Sequence, residues 1–252
     1  MRHDANTETA DVVCVASWNA DMIARVARPI ARGETLMASA FSISPGGKGS
    51  NAAVAAARQG ARVALIARIG DDDFGQMGMD LWNAEGIATV HVERAAGERS
   101  GVAQILVYDD GDNSIAVYPG AGAGLGAGHA LAAAELLAHC RVVMASCEVP
   151  VEATLAAFRL ARQAHATTLL NPAPARSLPM RAIRATRAPW RAAATAALLP
   201  LPPGLMLKAL AISVSPRAMG RATREIMSAF QLATQTTSTV SVFASRRIHL
   251  PP

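Results

Sequence analysis

Four short apolar runs, "DVVCVASW", "ARVALIARIG", "CRVVMASCEV" and "ATTLLNPAPA", recur through the first 175 residues of this chain. Between them lie segments of helical character, "AAVAAARQG", "DDDFGQMGMDLWNAEG" and "PVEATLAAFRLARQAH". Runs of this length without polar alternation read as buried strands. Strands alternating with helices argue for a parallel α/β sheet. Two further segments depart from that alternation. "NADMIARVARPIARGETLMASAFSI" has a partial period of two, broken by Pro29 and Gly33, which predicts a hairpin-like excursion. "SGVAQILVY" and "NSIAVYPG" flank the turn cluster "DDGDN" and predict an antiparallel hairpin, so a small β layer is expected beside the main sheet.

The alternation stops near Pro179, and the charge changes there too. Residues 1–179 hold 14 Lys and Arg against 18 Asp and Glu, a net of −4; residues 180–252 hold 10 against one, a net of +9. The last aspartate of the chain is Asp112. We therefore expect an α/β unit over 11–179 and an unmatched basic tail over 180–252, either disordered or translated out of frame. A basic arm for polyanions is a third reading of the same tail. No run of about 18 apolar residues suits a membrane span, and the polar start "MRHDANTETAD" is neither a signal nor a transit peptide. Cys14, Cys140 and Cys147 lie in apolar runs without metal-ligand spacing, which fits buried free thiols in a reducing cytoplasm.

The chemistry-bearing stretch is "SPGGKGSNAAVAAARQG", residues 44–60. It is not a Walker loop, because Lys48 is followed by Gly49 and Ser42 stands where the first glycine is required. What remains is a glycine turn at a helix N-terminus, with free backbone amides and with Lys48 and Asn51 within reach of the same space. It reads either as a ligand turn or as an ordinary strand-to-helix connection. Asn19 and Asp21 follow the first strand, and Glu148 follows "RVVMASC", at the strand ends where open α/β sheets hold ligands. Each alone also fits a solvated strand end. "PGAGAGLGAGHAL" comes near a dinucleotide fingerprint only at Gly122, Gly124 and Ala127, without the following acid, and reads as a turn into a helix. His129, His139 and His165 share no spacing with carboxylates or cysteines, and the sparse aromatics make no base-stacking surface.

Taken together, "ASWNADMI", "PGGKGSNAAVAAARQGARVALIARIGDDDFG", "SGVAQILVYDDGDNSIAVYPGA" and "NPAPARSLP" resemble the ribokinase family, the phosphofructokinase-B-type carbohydrate kinases, over 11–179. The resemblance implies a Rossmann-type α/β sandwich with a small β-sheet lid, the lid segments falling at about 22–43 and 100–119. It implies that Asn19, Asp21, Gly47, Lys48, Asn51 and Glu148 hold the hydroxyls of a pentose, with Gly-Gly at the hinge between core and lid. It further implies transfer of phosphate from ATP with Mg²⁺ to D-ribose or a related pentose or nucleoside, a monovalent cation such as K⁺, a cytoplasmic location and a homodimer through the lid. No nucleic-acid or membrane partner is expected.

The same resemblance exposes a departure. In the family, the ATP wall, a Pro-Asn-Glu segment and a Gly-Ala-Gly-Asp turn bearing the catalytic base come from the C-terminal half. No Asp follows Asp112 here, and neither segment is present. The expected C-terminal part of the fold is thus truncated or replaced, no catalytic residue is assigned, and the K⁺ site is not seen. Two outcomes are expected: an impaired sugar kinase, or a non-catalytic remnant that retains at most sugar binding.

Overall fold

The computed structural model describes residues 9–174 and the backbone of the two-residue strand Arg191–Ala192. Its centre is a parallel sheet whose strands are β1 (Val12–Ala16), β4 (Val63–Gly70), β5 (Ala88–Ala95), β8 (Val142–Ser146), β9 (Thr167–Asn171) and β10 (Arg191–Ala192). Their spatial order is β10-β9-β8-β1-β4-β5, every neighbouring pair parallel. Because helices cover both faces, successive side chains of one strand enter opposite cores. Val13 and Val15 of β1 and Ile66 of β4 face α3 (Ala127–Ala132), α4 (Ala134–His139) and α5 (Val151–Gln163), packing with Leu137, Ala157 and Phe158. Val12 and Cys14 of β1 and Leu65 of β4 face α1 (Lys48–Arg58) and α2 (Asp73–Ala84), packing with Val54, Ile87 and the fully buried Trp82.

The second sheet has four strands, β2 (Asn19–Arg25), β3 (Ala40–Gly46), β6 (Gly101–Val107) and β7 (Asn113–Tyr118), in the order β3-β2-β6-β7. Two antiparallel ribbons, β2 with β3 and β6 with β7, join through a parallel β2–β6 pairing. Both hairpin-like segments read from the sequence are therefore present, and they make one layer together. Side chains in register share a face, so Ser44, Asp21, Ala103 and Val117 form one transverse row. Ile23, Ile105 and Ile115 form the next row on that face.

The roots of this layer are tied to the core. The Trp18 indole donates to the Phe74 carbonyl (3.0 Å) and stands edge-on to Trp82, the centroids 5.3 Å apart. Asp72 caps α2 through the Gly75 amide (2.8 Å) and also accepts from the Ser100 amide (2.9 Å) and hydroxyl (2.6 Å). Burial works against that charge, but the bonds from Ser100 and Gly75 hold the Asp72 carboxyl below its ordinary range. The acids at the start of α2 thus sit at its positive end, as their placement predicts.

Two features were not read from the sequence. Strand β5 is an edge strand of mixed character, "ATVHVERA", with only its first and last residues buried and an irregular register against β4. Its charged positions hide the strand pattern. The pairing of Arg191 and Ala192 with β9 extends the parallel sheet into the segment assigned to the tail; the rest of 180–252 lies outside the described residues. Cys14, Cys140 and Cys147 are all free and buried. Burial pushes the Cys14 thiol up to about 12 and the Cys140 thiol to about 11, so neither is a ready nucleophile. No helix among the described residues is long and apolar enough to cross a membrane.

Truncating Leu65, fully buried on the interior strand β4, is expected to cost about 2–5 kcal/mol as Leu65→Ala. Urea unfolding followed by far-UV circular dichroism checks this against the native chain.

Candidate functional site

Every sequence-predicted site residue lies where the core sheet meets the second layer. Asn19 opens β2 and is buried, with Asp21 two residues on along the same strand. Gly46 ends β3, Gly47 is the N-cap of α1, and Lys48 and Asn51 belong to that helix's first turn. Glu148 follows the carboxyl end of β8. Parallel strands all point their carboxyl ends to one edge, which is why β1 and β8 deliver residues far apart in sequence to one place.

The tightest contacts converge on Glu148. Its Oε2 accepts from the Ser17 hydroxyl (2.7 Å) and from the Lys48 amide (2.8 Å), and its Oε1 accepts from Lys48 Nζ (2.7 Å). Ser17 Oγ in turn accepts from the Gly49 amide (3.1 Å), and the Ser17 carbonyl accepts from the Ser50 amide (3.1 Å). Three of the first amides of α1 are satisfied in this way without an N-cap side chain. The negative carboxylate against the positive end of the helix is favourable as well.

Two glycines make the approach feasible. Gly47 has φ 90°, in the left-handed region that a side chain resists, and a Cβ there would stand 2.6 Å from the Ser17 carbonyl oxygen. A Cβ at Gly46 would overlap the Asp21 carboxylate, so the absence of a side chain makes the space that carboxylate occupies.

Asp21 is the electrostatic outlier. Burial pushes its carboxyl up to about 6, the nearby Glu148 charge adds to that, and Lys48 partly offsets it. Asp21 thus lies within electrostatic reach of Lys48 and Glu148. On the same helix as Lys48, Asn51 Oδ1 is buried and has no hydrogen-bond partner. Lys48 and Asn51, three apart on α1, share a helix face.

A cavity of about 420 Å³ opens at this junction, within the range of small-ligand sites. Ser17, Asn19, Lys48, Cys147 and Glu148 line one side, and Ile115 and Val117 of β7 line another. Asp21, Gly47 and Asn51 are not part of the lining, although Asp21 shares its row with Val117. Among the described residues no group of three or more His, Cys, Asp or Glu is arranged to hold a metal. Sequence reading missed Ser17 and the close approach of Gly46 to Asp21. The only available signal for Ser17 was a small hydroxyl at the end of a buried strand, which many strands carry.

The family model described as pfkB family carbohydrate kinase matches residues 9–190. A ribokinase from Bacillus subtilis is 34% identical over 168 residues, covering 67% of this chain and 57% of that protein. A deoxyribokinase from Salmonella typhimurium is 37% identical over 165 residues, covering 66% and 54%. Among solved structures, the ribokinase from Cryptococcus neoformans in complex with ADP superposes with a TM-score of 0.58 at 29% identity, covering 68% of this chain and 53% of that one. The chain spans about half the length of these relatives.

The raised Asp21 carboxyl has a signed consequence. Its folded-state value lies above the unfolded one, so folding favours the protonated form; that contribution is present at low pH and is lost as pH rises through about 6. Replacement by a neutral isostere removes the penalty of a buried charge. Asp21→Asn is expected to be more stable than the native chain at pH 7.5 by about 1–3 kcal/mol. The two are expected to converge as pH falls from 6 toward 4, as measured by chemical denaturation across that range.

Proposed function

The chain belongs to the pfkB family of carbohydrate kinases, and from that premise we propose that its described residues form the sugar-binding part of an ATP-dependent pentose kinase. The substrate of this reading is D-ribose, with 2-deoxy-D-ribose, another pentose or a nucleoside as alternatives, and the product is the 5-phosphate. The observation that carries it is the Lys48–Glu148 pair lining a cavity beneath the second sheet, with Asp21 within electrostatic reach of both. Those groups match what a polyhydroxylated ligand needs: carboxylates to accept from adjacent hydroxyls, an ammonium to donate, and amides to do both.

In this reading the ionised Asp21 and Glu148 accept from sugar hydroxyls. Asn19, Lys48 and the Gly47 amide donate, and Asn51 Oδ1 gains the partner it lacks. The four-stranded layer acts as a lid that excludes water from the sugar, its two segments at about 22–43 and 100–119 moving over an α/β core within 11–179. Its exposed Phe41 and Ile43 suit pairing with the lid of a second copy in a homodimer. ATP serves as phosphoryl donor with Mg²⁺ and a monovalent cation such as K⁺ in support, in the cytoplasm. The residues that hold those groups in the family's pattern are not among the described residues.

A second reading rests on one sequence fact: these 252 residues contain no Asp after Asp112. Without the base expected in the C-terminal half, the chain is impaired as a kinase or persists as a remnant that binds sugar alone. A base contributes on the order of 10²–10⁴-fold to such a transfer. We infer that the basic tail over 180–252 arises from a shift of reading frame near Pro179. The nucleotide sequence tests this: one of the other two frames is expected to encode Pro-Asn-Glu and Gly-Ala-Gly-Asp segments downstream, and their absence from both refutes the shift.

Two measurements on the full chain separate the readings. Thermal denaturation with D-ribose and with 2-deoxy-D-ribose is expected to show a stabilising shift, and Asp21→Ala is expected to abolish it. A shift that survives Asp21→Ala would mean the sugar sits elsewhere. ATP consumption with ribose distinguishes the rest: turnover supports the kinase, and a shift without turnover supports the remnant.

A further inference from the structure

We propose that Ser17 is a positioning residue: it fixes the Glu148 carboxylate against the α1 turn and thereby sets the donor and acceptor pattern that a pentose meets. This deepens the sugar-binding reading and rests on it. Ser17 is the first residue after β1, is buried, and lies beside the cavity. Its hydroxyl has one proton to donate and lone pairs to accept with. The structure spends both on site-forming groups: the proton goes to Glu148 Oε2, and a lone pair receives the Gly49 amide.

The consequence of that arrangement concerns which oxygen of Glu148 faces which donor. Ser17 and the Lys48 amide both bind Oε2, while Lys48 Nζ binds Oε1. Two donors on Oε2, with the Lys48 ammonium on Oε1, hold the carboxylate plane at the cavity that Lys48 and Glu148 line. Removing the hydroxyl leaves the Lys48 amide as the one remaining anchor on Oε2 and leaves the buried Gly49 amide without its acceptor. The carboxylate then keeps only the Lys48 amide on Oε2 and the Lys48 ammonium on Oε1, so every remaining donor comes from one residue. The backbone of Ser17 adds a second tie, since its carbonyl accepts from the Ser50 amide, and this tie survives side-chain replacement.

The test is a double-mutant cycle joined to a sugar-independent readout. Ser17→Ala is expected to weaken D-ribose binding about tenfold in calorimetry, the loss of one bond to a charged group. In a Glu148→Gln background the same change is expected to cost less than about threefold, because the group through which Ser17 acts has lost its charge. A purely structural Ser17 would cost the same in both backgrounds, and that result would overturn the proposal. Exchange of the Lys48 amide, read by NMR without sugar, is expected to accelerate in Ser17→Ala; an unchanged rate would also overturn it. Should the native chain bind no ribose, the sugar-binding reading fails while the exchange measurement still decides the role of Ser17. Should Ser17→Ala not fold, Ser17→Cys, which keeps a weaker donor, carries both comparisons and is expected to give smaller effects of the same sign.

Discussion

A carboxylate that leaves the end of one strand and closes on a helix a hundred residues earlier holds this site together. Glu148 takes the Lys48 amide, the Lys48 ammonium and the Ser17 hydroxyl at once. A half-buried ion pair of this kind is weak support for the fold as a whole, since desolvation offsets most of the Coulomb gain. Its value lies in geometry. It joins three elements, β1, α1 and the loop after β8, at the edge where the sheet's carboxyl ends meet the second layer.

Around that knot the protein keeps polar groups it does not fully satisfy. Asp21 carries a charge that burial disfavours, with the negative Glu148 nearby, and Asn51 holds a buried oxygen with no donor. An interior selected for stability alone would neutralise both. The disfavoured Asp21 charge and the unpartnered Asn51 oxygen are what the proposed hydroxyl ligand would stabilise on binding. The strain is local. The cores on either side of the sheet are apolar, with Trp82 bonding Ser50 (2.9 Å) as the notable polar contact within them.

How much of this was legible in the sequence depended on whether the signal was periodic or pairwise. The continuous apolar runs around Val13, Leu65 and Val143 announced buried strands because both faces of the sheet are covered, and "DDGDN" announced its hairpin through turn chemistry. The strand at Ala88–Ala95 escaped because an edge position tolerates His91, Glu93 and Arg94 and so erases the pattern. Asn19, Asp21, Lys48 and Glu148 were singled out as candidates by residue type, strand-end placement and family resemblance. Nothing in spacing alone distinguished them from solvated strand ends. Ser17 was invisible for a related reason: its role is defined by partners at positions 49 and 148, and no local window contains them.

The second sheet is stitched from two ribbons whose only seam pairs Asn19 with Gly101 and Arg25 with Val107. While the chain emerges from the ribosome, the first ribbon must wait for the second with an edge unpaired and Ile23 uncovered, a state prone to intermolecular pairing. The core sheet waits longer still, since β1 meets β8 only when Val12 finds Val142, so both layers close through pairings distant in the chain.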